Sequence, residues 1–497
     1  MAETTPPSAS RLSLSRSSEQ QSGCRRRIPH CPADPGAGSV RQPDSEGEQA
    51  MEYFSQFEDQ QEISQEPIGL ARNELAQAAE TGRDVSALRA RLTELDDGDH
   101  DELLKIYQDI LALPAPRDWP HFEGSRLEDI QSELPPANPT DPISGEELAD
   151  RVHGAWVGRI AGNMLGKPWE IGWDRHQIKT YLQEHDAYPL TDYAPIDDEA
   201  NAAKLGFTLY GEGMSQGRVD GGVRDDDIDY TVLGLHLLRT YGHDYTSIDV
   251  AREWLYRFPV YQLYTAERAV YQNLIRKVAL EQVAEFENPY REWIGALIRA
   301  DIYGYRNPGN PRAAALLAYP DAALSHRANG IYGAMWAAAL IAIGFTDTSP
   351  TQSIRDSLQH IPPASRLAAE ITTVLADFEA GLTWDTTMDK LDARWRDTSW
   401  VHVLPNAGAL TAAIMWGEGD YTATVALAVQ SGLDTDSIAA TAGSWAGARL
   451  GARALPTHLT TPLRDHYTSA VFGYGASPIS SYAEHTLRLI ETATEKG

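Results

Sequence analysis

Between Arg224 and Thr231 the chain reads Arg-Asp-Asp-Asp-Ile-Asp-Tyr-Thr, so Asp225, Asp226, Asp227 and Asp229 put four carboxylates into five positions. Val232, Leu235, Leu237 and Leu238 follow at helical spacing, which marks the start of an apolar helix. One Asp there can cap the helix, and the helix dipole favours a second. Four cannot all be caps, and side by side they repel. A hard divalent cation (Mg²⁺, Mn²⁺ or Ca²⁺) removes that cost through oxygen ligands, while a solvated acidic helix start would simply tolerate it. A second acidic turn, Gly432-Leu433-Asp434-Thr435-Asp436-Ser437, interrupts two Ala-rich helices. Asp434 and Asp436 can aim at one point ahead of a helix N-terminus, and Ser437 adds a neutral oxygen. The small residues on both sides argue for burial, and buried carboxylates demand compensation; an acidic cap is the plainer alternative. A third segment, Gly162-Asn163-Met164-Leu165-Gly166-Lys167-Pro168-Trp169-Glu170, ends a helix rich in small residues. Taken alone, Glu170 reads as a surface residue.

These three segments, in this order, resemble the ADP-ribosylglycohydrolase family over roughly residues 145–455. The resemblance implies a compact, all-α, multi-helix domain. It also implies two Mg²⁺ ions, with Mn²⁺ as an alternative, beside an ADP-ribose pocket where a C1″ glycosidic bond is cleaved. Carried over by position, Asp226 and Asp227 match the first metal motif, and Asp434, Asp436 and Ser437 match the second, with Ser in place of the usual Thr. Glu170 matches the glutamate that helps coordinate metal and position water, and is the expected catalytic residue. Three positions depart from the pattern. Asp225 stands where a Thr ligand is usual, Ile228 replaces a second Thr, and Asn163 replaces a common Asp. This variant style resembles a bacterial subgroup. Asp225 joins the expected metal ligands, and Asn163 and Asp229 the expected substrate contacts.

Further polar residues fit a pocket. Ser325-His326, ahead of a long apolar helix, resembles the family's Thr-His segment, which places His326 at the ligand site. His402 and Asn406 flank Pro405 and are expected to contact substrate. The glycines from Gly211 to Gly222 lead into the first acidic motif as a surface loop or a lid. Asp225-Asp226-x-x-Asp229 also spells the Mg²⁺-diphosphate pattern of terpene and prenyl synthases, but the second motif of those enzymes is not matched. A non-catalytic protein binding ADP-ribose-type ligands is the other alternative.

The elements that must hold these residues are nearly all helical. Helical patterns cover 226–241, 247–256, 264–300, 328–343, 363–380, 407–416, 420–431 and 436–450, and strand signals are scarce. Ser144-Gly145-Glu146-Glu147 has the form of a capping box opening the helix that leads to Glu170. Upstream, residues 66–113 read as a helical hairpin within an N-terminal extension over 51–133, and Pro135 to Pro142 mark a linker over 134–143. The catalytic domain then spans 144–497. Residues 1–50 hold both cysteines, six basic and six acidic residues and no aromatic residue, so they read as a disordered tail, with Met51 as an alternative start. The formal charge of −29 argues against a general nucleic-acid or anionic-membrane partner. No apolar run is long enough to cross a bilayer and no signal segment is apparent, so a cytoplasmic location is expected. The substrate is the one partner expected; oligomeric state is not legible.

Overall fold

Gly154, Gly158, Gly162 and Gly166 fall at every fourth position and so form one bare stripe on a helix. Gly443 and Gly447 repeat that spacing on a second helix, with Ala439 one turn earlier. In the computed structural model, which describes residues 67–95, 98–137, 143–195 and 213–494, the two stripes meet. A Cβ added at Gly158 would run into the Gly443 carbonyl oxygen, and one at Gly162 into that of Ala439. The backbones therefore touch, and this pair is the most extensive helix–helix contact among the described residues. Those residues contain twenty α-helices and one two-stranded sheet, Tyr467–Thr468 with Ala476–Ser477, so the fold is all-α.

Seven helices position the site: α1 (Pro67–Glu80), α2 (His100–Leu111), α3 (Gly145–Gly166), α4 (Asp226–Tyr241), α5 (Asn329–Gly344), α6 (Val403–Gly417) and α7 (Thr435–Leu450). α5 is buried along its whole length and carries an almost unbroken apolar sequence, as a helix surrounded by others must. α3 and α7 cross beside it and share one large apolar core with α4 and α6. The α3–α7 contact is tied at its rim by the Tyr421 hydroxyl, which donates to the Gly158 carbonyl at 2.8 Å.

Several expectations need correction. Ser144 stands at the N-cap of α3, but its hydroxyl accepts no capping bond; Glu147 instead pairs with Arg151 at 2.6 Å. The helix expected over 264–300 stops at Ile275. Lys277 and Glu287 take positive φ, Pro289 follows, and the Asn273 amide holds the intervening turns through the Val283 carbonyl at 3.0 Å. The helix Pro311–Ser325 escaped the pattern because Pro320 lies inside it. The expected hairpin is three helices, with Ser86–Thr93 between α1 and α2. The expected tail, part of the linker and Gly211 lie outside the described residues.

α1 and α2 pack around their own small cluster of Leu70, Leu75, Leu103, Ile106 and Ile110, separate from the main core. What joins α1 to the rest is polar. Glu74 grips the Arg291 guanidinium with both oxygens at 2.7 and 2.8 Å, and the Gln77 amide donates to Glu292 at 2.6 Å. One turn later, Glu80 Oε2 lies 3.0 Å from His402 Nε2. Glu292 is shared with Arg366 and Asn329, so α1 inserts into a network already charged.

Three substitutions test this packing. Gly158→Val should cost about 3 kcal/mol or more in a urea melt, because the obstacle is backbone that cannot rotate away. Gly172→Ala, with open space around it but a positive φ of 83°, should cost only about 1 kcal/mol. Glu74→Ala should cost about 3 kcal/mol by stranding Arg291; a loss below a few tenths would show that the α1 seam contributes nothing.

Candidate functional site

The stripe of glycines on α3 has a polar neighbour. Arg159, Asn163 and Lys167 also recur at every fourth position, about one residue's rotation away from the glycines that face α7. Arg159 is fully buried, pairs with Asp301 at 2.6 Å and donates to the Asp227 carbonyl at 2.9 Å, fixing the start of α4 against α3. Lys167 begins the 3₁₀ turn Lys167–Trp169 that ends α3. Trp169 is buried edge-on against Trp173 and Tyr181, with ring centroids 5.4 and 5.3 Å away, and so seats Glu170 just beyond it.

The acidic turn over 432–437 is brought in by backbone contacts. Gly432 turns at φ 68°, where a side chain would collide with Asp174 and Arg175. The Thr435 hydroxyl donates to the Gly166 carbonyl at 2.9 Å, and the Asp434 N–H donates to Asn406 Oδ1 at 3.1 Å. Asp434 occupies the N-cap of α7, yet its carboxylate makes no capping bond. Asp225, by contrast, does cap α4, accepting from the Asp227 N–H at 3.1 Å through one oxygen.

Two carboxylate triads result, Asp225–Asp226–Asp227 and Glu170–Asp434–Asp436. Each can bring one oxygen per residue to within 4.8 Å of the others. Between them stands the Lys167 ammonium, 2.7 Å from Glu170 Oε2, 2.8 Å from Asp225 Oδ2 and 2.9 Å from Asp436 Oδ2. Asp225, Asp227, Asp434, Asp436 and Ser437 are buried, while Lys167, Glu170 and Asp226 are partly exposed and mark the open side. Asp227 Oδ1 and Asp436 Oδ1 are buried with no hydrogen-bond partner, as are both amide atoms of Asn163. Orphaned carboxylate oxygens on two facing segments are what a hard cation would satisfy. The residues of the two triads therefore fit a divalent ion.

The other expected site residues lie elsewhere. The Asp229 carboxylate is taken up by Arg224 at 2.9 Å, the Ser469 hydroxyl at 2.7 Å and the Ala470 N–H at 3.2 Å, with the Tyr467 hydroxyl at 3.1 Å. It thus anchors the segment 467–470 under α4, and the Asp225-Asp226-x-x-Asp229 pattern does not act as one ligand set. His326 is buried, with Nδ1 2.8 Å from Ser325 Oγ and Nε2 unpartnered. It borders a separate network in which Arg299 joins Glu267, Asp321 and Ser325. His402 stacks near Trp395, meets Glu80 and accepts the Leu404 N–H at 3.2 Å to cap α6. Asn406 bonds to the His402 carbonyl at 2.9 Å while seating Asp434, so its contact is with a triad residue's backbone. Sequence reading did not place Arg159 or the central ammonium of Lys167. The four-residue spacing from Arg159 through Asn163 to Lys167 was the available signal.

Residues 144–494 match the family described as ADP-ribosylglycohydrolase. Among solved structures, one described as an ADP-ribosylglycohydrolase-related protein complex is similar at 19% identity and a TM-score of 0.39. The match covers 70% of this chain and 100% of that one. No curated protein matches the chain.

Crowding decides the electrostatics of the triads. Burial, and then the neighbouring Asp436, push the Glu170 carboxyl up to about 8 against the pull of Lys167. Burial and Asp225 push Asp226 up to about 7, and Asp227 and Asp434 are also raised well above the carboxylate range, by burial first and then by Asp436. Burial acts in the same direction on Asp225, but Lys167 and the capping bond outweigh it and hold that group at about 2. A raised carboxyl binds its proton more tightly in the folded state. Its contribution to stability is full below the unfolded value of about 4 and is lost as pH climbs through the folded one. Without divalent cations the melting temperature should therefore fall between about pH 5 and pH 8, and saturating Mg²⁺ should remove the fall. Asp225 has the opposite sign and acts only at lower pH. Identical pH profiles with EDTA and with Mg²⁺ would contradict the cation-site assignment.

Proposed function

The chain belongs to the ADP-ribosylglycohydrolase family, and from that premise we propose that it hydrolyses an ADP-ribosyl or closely related ribosyl glycosidic bond with divalent-metal assistance. The observation that carries this reading is the convergence of two carboxylate triads, from three distant segments, on one partly open point. Mg²⁺ is the proposed metal, with Mn²⁺ as an alternative; the triads offer one seat each. When bound, such an ion supplies Lewis-acid polarisation and a template for the ribose hydroxyls.

The chain's own residues supply the rest. Glu170 sits on the open side and faces solvent with part of its carboxylate, where its ionised form serves as general base; a bound cation would favour that form against the crowding that raises it. It takes a proton from the attacking water, whose oxygen forms the new bond to C1″. The bond from C1″ to the leaving atom breaks with its electron pair on that atom. The sugar passes through an oxocarbenium-like centre, and the surrounding carboxylates, Asp226 nearest the opening, stabilise its positive charge. Asn406 and Thr435 hold Asp434 and α7 in register with the end of α3, so the triads keep their spacing without relying on long side chains.

A magnesium-dependent screen across ADP-ribosylated peptides, O-acetyl-ADP-ribose, nucleosides and simple ribosides tests the reading. On whichever substrate turns over, Glu170→Gln should lower kcat by roughly 10²–10⁴ with little change in KM. Asp436→Ala should abolish the magnesium dependence together with the activity. Undiminished hydrolysis in both variants would sink the mechanism, and no turnover of any riboside would favour a binding protein.

A further inference from the structure

An ammonium group has three N–H donors and nothing else to offer. The Lys167 ammonium donates to Asp436 Oδ2 at 2.9 Å and is ion-paired with Glu170 Oε2 at 2.7 Å and Asp225 Oδ2 at 2.8 Å. These carboxylates come from both triads, so the nitrogen bridges them. The lysine is not a loose surface residue reaching inward. Its backbone follows Gly166, where a Cβ would strike the Thr435 carbonyl, and precedes Pro168 in a buried turn. Asp225 and Asp436 are themselves almost completely buried. A strongly hydrated cation held this way has exchanged its water shell for three carboxylates.

We infer that Lys167 is a resident cation that bridges the two triads in place of a second metal ion, and that the site takes a single divalent ion. A divalent ion held by the same three oxygens as the ammonium would need them at about 2.0–2.6 Å, which puts it at the point Nζ already fills. Ammonium and second ion are mutually exclusive. Each triad keeps one buried oxygen without a hydrogen-bond partner, Asp227 Oδ1 in one and Asp436 Oδ1 in the other, and these are left for the single ion. Asn163, one turn before Lys167, is also buried with both amide atoms unpartnered. The lysine also changes what the site can do. A metal ion can add a sugar hydroxyl to its coordination shell, whereas an ammonium held among three carboxylates fixes charge and has no such shell to extend. The ribose would thus be oriented by one ion.

This inference rests on the hydrolase reading only in taking a divalent ion as resident, and counting ions tests it without activity. The full chain, freed of metal with EDTA, is titrated with Mn²⁺, and bound ion is measured by equilibrium dialysis and electron paramagnetic resonance. The wild type should bind one Mn²⁺ with an uncoupled spectrum. Lys167→Ala, and Lys167→Met with its retained stem, should bind a second Mn²⁺ and show spin coupling between the two. Two ions in the wild type would overturn the assignment while leaving the hydrolase reading intact. A single ion in wild type and both variants would show that the lysine displaces nothing, and overturn it too. No bound ion in any of them would overturn this inference together with the metal dependence proposed above.

Discussion

Two helices whose backbones touch are the constraint on which the site depends. Side chains between helices ordinarily keep their axes about 8–10 Å apart, and any residue larger than glycine at Gly158 or Gly162 would restore that gap. Close approach puts the C-terminal end of α3 directly against the N-terminal end of α7, and the motif residues sit on those two ends. Lys167 and Glu170 leave one helix where Asp434 and Asp436 enter the other. Carboxylates are thus gathered by main-chain geometry rather than by long side chains swinging into place. That economy of freedom suits a site whose members repel one another, because nothing has to be ordered at the moment a ligand arrives.

Gathering so many acids out of water is unfavourable unless positive charge comes with them. The molecule meets that requirement in layers. Arg159 neutralises Asp301 beneath the start of α4, and Arg224 neutralises Asp229 at its outer side. Lys167 serves the centre. Each cation comes from a different direction, so the acids that remain uncompensated are those facing one another across the cleft. The chemistry proposed for the site draws on that residual negative field, which favours a sugar carbon that becomes positive.

Much of this was legible in the amino-acid order. Residue type and local spacing identified the three acidic segments, since four Asp in five positions have few structural uses. The stripe of small residues on the first helix was visible for the same reason. What escaped was whatever depends on which helix faces which. Asp229 belongs to the acidic run by sequence, yet its carboxylate binds a segment some 240 positions downstream. His402 and Asn406 were grouped with the site by proximity to Pro405; one instead meets α1, and the other grips main chain at Asp434. Ser144 had the letters of a cap without the bond, because Glu147 had a better partner in Arg151. Local rules describe what a residue can do. Tertiary contacts choose among those options.

The polar seam between α1 and the rest of the chain has a thermal consequence. Its contacts are polar: Glu74 is ion-paired with Arg291, Gln77 donates to Glu292 and Glu80 lies beside His402, while the apolar residues of α1 and α2 are occupied with one another. Hydration of charged groups weakens as temperature rises, so the penalty for keeping such pairs dry shrinks on warming, whereas the stabilisation per unit of buried apolar surface levels off. The two attachments within this one chain therefore respond differently to heat. On warming, the charged seam gains relative to the oily contacts inside each part, whose contribution only levels off.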